Sequence, residues 1–185
     1  MNLSVEQIRK DMKRNLSDFR YEHSVIVAQE AILLAKHYKV NQEKAYLAGL
    51  IHDIAKEFSD EENVMYINKF NLNRELLKPY YKNIIHADIG AYLAKELYDI
   101  DDDIFYAIKF HTIGNVAMNM LSKIIFVADK IARKNKSDEL KEIEKLAYVD
   151  IDIAIKKIIL SEKERLQKIN RNLHPDTIAL FDKLN

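Results

Sequence analysis

Six side chains of metal-binding type fall in apolar surroundings in this sequence: His23, His52, Asp53, His86, His111 and Asp129. His52 and Asp53 are neighbours inside the run Ala48-Gly49-Leu50-Ile51-His52-Asp53-Ile54-Ala55. A carboxylate placed among aliphatic groups costs several kcal/mol unless a cationic side chain or a metal compensates it. Four imidazoles and two carboxylates are borderline-to-hard donors. They suit iron, manganese or zinc, and without a thiolate they do not read as a structural zinc site. Six donors are too many for one catalytic ion that must keep open positions, and enough for two ions that share a ligand. Asp53 is the best placed bridge, because a carboxylate has two oxygens and His52 stands beside it. Two divalent ions about 3.5–4 Å apart lower the pKa of a bridging water and steady both oxygens of a phosphate displacement. A lone histidine on an apolar face is ordinarily a hydrogen-bonded core residue or a partly exposed one, and that reading is kept for His37 and His174.

Helical periodicity dominates the elements that must position these groups. It predicts helices over about 4–15, 18–38, 42–57, 60–69, 83–98, from Asp101 to His111, and over about 116–132, 138–147, 150–171 and 176–184. Val5, Ile8 and Met12 share a face of the first. The second carries Phe19, His23, Ile26, Val27, Ala31, Leu34 and His37 on one stripe. Asn41 reads as an N-cap, Ser59 with Glu62 as a capping box, and Asp101–Asp103 as the acidic start of a helix. The helix over 83–98 faces inward with Ile85, Ala87, Ile89, Leu93 and Leu97. Pro79 marks a break, and Thr112-Ile113-Gly114-Asn115 interrupts the chain after His111. Each of the three glycines, Gly49, Gly90 and Gly114, lies within a few residues of a candidate histidine. So few glycines, with two prolines, argue against a many-stranded sheet. The expected fold is all-α: a single HD-domain-like helical bundle over 1–185, with the metal-site core over about 16–135 and C-terminal helices over about 138–184.

Composition narrows the functional classes. The 185 residues are 48% apolar and 31% charged, as in an ordinary soluble domain. Lys plus Arg equals Asp plus Glu at 29 each, so no basic field recruits nucleic acid and an anionic ligand must be drawn by local charge. Cysteine is absent, which removes disulfides, zinc–thiolate sites, iron–sulfur clusters and cysteine nucleophiles. No apolar run approaches the ~20 residues of a membrane span, and the N-terminal segment has no signal-peptide shape. A cytoplasmic protein without membrane contact is expected.

The ordered set His…His-Asp…His…His…Asp resembles an HD-domain metal-dependent phosphohydrolase. The finer resemblance is to the bacterial YqeK family of symmetrical bis(5′-nucleosyl)-tetraphosphatases. It rests on Arg20-Tyr21-Glu22-His23-Ser24, His52-Asp53-Ile54-Ala55-Lys56, His86-Ala87-Asp88-Ile89-Gly90-Ala91, His111-Thr112-Ile113-Gly114 and Ala128-Asp129-Lys130-Ile131. The resemblance implies a di-iron centre with the six side chains as ligands, manganese and zinc being the alternatives. It implies hydrolysis of diadenosine tetraphosphate to two ADP, and it allows a homodimer. The chain departs from the family after Asp129. Family members continue Ile-Glu-Pro-x-Arg where this chain has Ile131-Ala132-Arg133-Lys134-Asn135. Arg133, Lys134 or Lys136 then stands in for the usual arginine.

On that basis His23, His52, Asp53 and Asp129 hold a first ion, and Asp53, His86 and His111 a second. Asp53 acts catalytically as the bridge. Lys56, one turn beyond it, reaches the mouth of the site in a catalytic and phosphate-binding role. Arg20, Thr112 and Arg133 are the further substrate contacts, and Ser24 and Thr112 orient ligands. Asp88 holds His86, activates the leaving group or is a surface residue, and Tyr80 and Tyr81 are stacking candidates for the base. Rival readings are an HD phosphohydrolase acting on another nucleotide or a cyclic dinucleotide, a nucleotide-sensing module without chemistry, and a helical adaptor with buried histidines.

Overall fold

The protein is described by a computed structural model over residues 4–78 and 82–185. Pro79, Tyr80 and Tyr81 lie outside the described residues. Ten α-helices, one 3-10 helix and no strand occur among those described. The α-helices are α1 (Val5–Asn15), α2 (Asp18–His37), α3 (Gln42–Ile51), α4 (Asp60–Lys69), α5 (Ile85–Tyr98), α6 (Asp102–Phe110), α7 (Met120–Ile131), α8 (Asp138–Ala147), α9 (Ile151–Gln167) and α10 (Pro175–Leu184), with the 3-10 helix at Arg74–Leu77. None is long and apolar enough to cross a membrane.

Side-chain caps set most of the helix starts. The oxygens of Ser17, Asn41, Ser59 and Asp101 each accept a backbone N–H from the first turn of the helix that follows. Ser59 and Glu62 form the complete capping box. Helix α7 starts at Met120, later than the periodicity predicts, because Asn119 caps it by accepting from the Ser122 N–H. Helix α9 ends at Gln167, short of the predicted 171. The chain after it turns through Asn170 at φ 53°.

Helix α3 also stops early, at Ile51 rather than 57. The ring of His52 donates through Nδ1 to the Gly49 carbonyl at 2.7 Å. Beyond it the backbone advances by tight turns, Ile54 N–H to Ile51 and Lys56 N–H to Asp53. His52 and Asp53 therefore sit on a helix end and a turn, not in mid-helix.

Helix α2 packs on α3 and α7, α6 packs on α3, α5 and α7, and α8 and α9 cover α7. Small residues let α2 and α3 approach closely. A Cβ at Gly49 would lie 2.8 Å from Ala28 Cα, so only glycine permits this crossing. The core is continuous, running from Met12 and Leu34 through Leu50, Ile108 and Ile125 to Ile155 and Leu180. Three residues placed on buried stripes by periodicity are instead exposed: Phe19 at 77%, Val5 and Leu97. His37 is exposed as well, edge-on to the Tyr38 and Tyr148 rings.

Candidate metal and phosphate site

Five elements bring the six candidate residues to one place. Helix α2 supplies His23, and the end of α3 with its following turn supplies His52 and Asp53. The first turn of α5 supplies His86, the C-cap of α6 supplies His111, and α7 supplies Asp129. His52, Asp53, His86 and His111 are each at most 3% exposed.

The two oxygens of Asp53 face different partners. Oδ1 lies 3.2 Å from His86 Nε2 and 3.6 Å from His111 Nε2. Oδ2 lies 2.8 Å from Arg20 Nη1 and 3.5 Å from His52 Nε2. Asp129 Oδ1 lies 3.0 Å from His23 Nε2 and 3.7 Å from His52 Nε2. Two groups therefore converge tightly enough to hold a cation: His23, His52 and Asp129, and His52, Asp53 and His111. His52 belongs to both, whereas the sequence pattern places it with the first alone. His86 joins the second side through Asp53 Oδ1 and through His111, whose Nε2 is 3.1 Å from its own.

The donor set fits divalent cations. His52 and His111 each donate through Nδ1 to a backbone carbonyl, of Gly49 and Ile108, both at 2.7 Å. That fixes the tautomer and leaves Nε2 to face the cluster. His52 Nε2 is buried with no hydrogen-bond partner, an expensive state unless something binds it. Burial pushes His86 down to about 3 and also lowers His111, so both imidazoles stay neutral and keep a lone pair. Burial works against the Asp53 and Asp129 carboxylates as well. The histidines around Asp53, and Lys130, His23 and His52 around Asp129, outweigh it and keep both ionised. His52 goes the other way. Its burial is overcome by Asp53 and Asp129, which raise it. Two carboxylates with four imidazoles converging on them make a donor set suited to divalent cations.

Four charged or polar residues named from the sequence surround this cluster. Lys56 Nζ lies 3.2 Å from His86 Nε2, and its burial lowers its pKa. Thr112 Oγ1 is 3.1 Å from His111 Nε2. Arg20 pairs with Asp53. Arg133 donates to the carbonyls of Asp129 and Ala132 at the end of α7, with Nη1 3.4 Å from His23 Nδ1. Of the other two residues at the stand-in positions, Lys134 pairs with Glu22 and Lys136 with Glu30 and Glu144. Ser24 does not orient a ligand, since its buried hydroxyl has no hydrogen-bond partner. Asp88 pairs with Lys109 at 3.5 Å and does not hold His86.

A cavity of about 400 Å³ opens beside the cluster. Lys56, Thr112 and Lys130 form its inner wall. Phe126, Ile158 and Leu166 line its apolar part, and Arg165, Arg171 and His174 are also on its walls. Lys130 and the loop before α10 were not singled out from the sequence. The signals were present: Lys130 follows Asp129, and Arg165, Arg171 and His174 cluster before Pro175. Reading them required knowing that α9 and α10 fold back over the site.

A family model described as the HD domain matches residues 20–134. The chain is similar to the symmetrical bis(5′-nucleosyl)-tetraphosphatase of Halalkalibacterium halodurans, 35% identical over 174 residues that cover 94% of this chain and 92% of that one. It is similar to the protein of the same description from Bacillus subtilis, 34% identical over 183 residues, 98% of each chain. A solved structure from Clostridium acetobutylicum, described as a predicted HD superfamily hydrolase involved in NAD metabolism, matches with a TM-score of 0.92 at 32% identity, over 100% of this chain and 98% of that one.

Proposed function

The chain belongs to the HD-domain family, and we propose that it hydrolyses diadenosine tetraphosphate symmetrically, releasing two ADP. The observation that carries this reading is the cation-receptive cluster standing beside a cavity whose walls carry Lys56, Lys130, Arg171 and apolar side chains. The relatives matched over nearly their full length are named for this reaction. The reaction adds the oxygen of water to one central phosphorus. The bond from that phosphorus to the central bridging oxygen breaks, its electron pair stays on the oxygen that leaves with the second ADP, and the protons of water pass to solvent.

His23, His52, Asp53 and Asp129 would hold one cation and Asp53, His86 and His111 another, with the Asp53 carboxylate shared between the two groups. Iron is the family expectation, and manganese and zinc suit the same donors. Bound divalent ions supply charge neutralisation on the phosphates and a lowered pKa for water. The rest falls to this chain's own groups. The carbonyls of Gly49 and Ile108 keep His52 and His111 oriented. Lys56 and Lys130, at the inner wall of the cavity, bind phosphate oxygens there. Thr112 Oγ1, on the same wall, contacts His111 Nε2, and Arg133 holds the end of α7 beside His23. The apolar wall formed by Phe126, Ile158 and Leu166 takes a nucleoside and excludes water around it. We place the protein in the cytoplasm, in keeping with its nucleotide substrate.

The test measures metal content and products together, for the native protein and Asp53→Ala, after anaerobic reconstitution with Fe²⁺ or Mn²⁺. Native protein is expected to bind metal and to yield ADP as sole nucleotide product; the variant should lose both. ATP plus AMP as products would overturn the symmetrical assignment. Unchanged metal and turnover in Asp53→Ala would overturn the site.

A further inference from the structure

We infer that the exposed ring of Phe19 is the platform on which the second base of the substrate stacks, the base of the nucleoside outside the cavity. The inference rests on the reading of this chain as a dinucleoside tetraphosphate hydrolase. Symmetrical cleavage puts the central bridge of the substrate at the metal cluster. The two nucleosides must then leave the cluster in two directions. One direction is the cavity between Lys56, Phe126 and the α9–α10 loop, and its walls include none of Phe19, Arg20, His23 or Arg133. These four mark a different side of the cluster.

On that side the sequence puts Phe19 one helical turn before His23, on the same face of α2. A phenylalanine on this stripe would ordinarily be covered by a neighbouring helix, yet Phe19 is 77% exposed. Its ring is not far from the chemistry. Arg20 Nη1 is 2.8 Å from Asp53 Oδ2, and the Arg20 guanidinium carbon is 5.8 Å from the Phe19 ring centroid. With a C–N bond between them of about 1.3 Å, those contacts hold the ring within roughly 10 Å of Asp53 Oδ2. A nucleoside diphosphate leaving the central bridge spans about eight bonds of ~1.5 Å from phosphorus to base, roughly 10 Å when extended. The reach of the substrate and the place of the ring therefore agree. Arg20 lies along this path and can meet phosphate oxygens, while an exposed aromatic face offers a base what a charged surface cannot, a stacking partner.

The test compares native protein, Phe19→Ala and Phe19→Trp on two ligands. Diadenosine tetraphosphate is the substrate. Adenosine 5′-tetraphosphate, which carries one nucleoside, is the competing ligand. Base stacking of this kind predicts a loss in kcat/KM of about 5- to 150-fold for the dinucleotide in Phe19→Ala. Phe19→Trp should retain native kcat/KM, and the inhibition constant of adenosine 5′-tetraphosphate should be the same in all three proteins. An unchanged kcat/KM in Phe19→Ala overturns the platform, and so does an equal loss for both ligands, which would report a shift of α2 instead. Failure of the native protein to release ADP from the dinucleotide overturns the hydrolase reading itself, and the platform with it.

Discussion

Asp53 is satisfied on both sides by different chemistry, imidazoles at Oδ1 and a guanidinium at Oδ2. The Arg20 pairing matters most when no cation is bound, because Asp53 is then 3% exposed with Arg20 as its closest cationic side chain. Removing one partner of such a pair leaves a buried charge behind. Arg20→Ala should destabilise chelated protein by about 2 kcal/mol, less than a fully buried pair because Arg20 keeps some exposure. Divalent metal at Asp53 should erase most of that loss. Denaturant melts of native and variant protein, each with chelator and with Mn²⁺, decide this; an equal loss under both conditions would show that the ion pair is structural only. The six cluster residues were legible in the sequence because each puts a polar group on an apolar run or an apolar helix face. The Arg20–Asp53 pair was not, since it joins positions far apart in the chain and arginine has many possible partners.

At the scale of elements, the cluster depends on how α2 is fixed relative to the turn after α3. Glu57 makes that connection. Its carboxylate accepts from the Ser17 N–H at 2.8 Å and the Ser17 hydroxyl at 2.6 Å, while Ser17 Oγ accepts the Arg20 N–H. A negative group at the start of α2 also suits the helix dipole. Glu57→Ala should cost about 1 kcal/mol, as for loss of a cap at an exposed site. It should also weaken metal binding several-fold by letting α2 carry His23 away from Asp129. Equilibrium titration with Mn²⁺ tests this, and Glu57→Gln should recover part of the loss. The helices themselves were largely readable, since their caps at Ser17, Asn41, Ser59 and Asp101 are local. Their ends were not. The His52 ring on the Gly49 carbonyl and the Asn119 cap moved the boundaries of α3 and α7, and side-chain bonding of that kind is invisible to periodicity. Phe19 shows the same limit from the other side: spacing put it on a buried stripe, and nothing in the sequence showed that the stripe runs past its cover.

The molecule as a whole joins two segments distant in sequence around one cavity. The turn at Thr112–Asn115 carries the inner wall, and the loop before α10 carries the outer one. The seam between them is closed by α10. The Thr177 hydroxyl donates to the Ile113 carbonyl at 2.7 Å, Asn115 Nδ2 donates to Asp176 Oδ2 at 3.1 Å, and Lys183 Nζ donates to the Val116 carbonyl at 2.8 Å. Gly114, at φ 71°, lies so close under Leu180 that a Cβ would sit 2.5 Å from Leu180 Cδ2. A protein with equal numbers of positive and negative side chains has no global field to hold an anion. Nucleotide affinity should therefore depend on keeping this seam shut. Thr177→Val keeps the shape and removes the hydroxyl, leaving a half-buried carbonyl without its partner at a cost of about 1 kcal/mol. Its effect should divide cleanly from that of a cluster variant. Thr177→Val should bind metal as the native protein does but hold ADP several-fold less tightly, whereas His111→Ala should lose metal and nucleotide together. Metal analysis with ADP calorimetry on the same preparations separates the two. Loss of metal in Thr177→Val would mean that α10 supports the cluster directly; native ADP affinity would mean that the cavity does not depend on the seam.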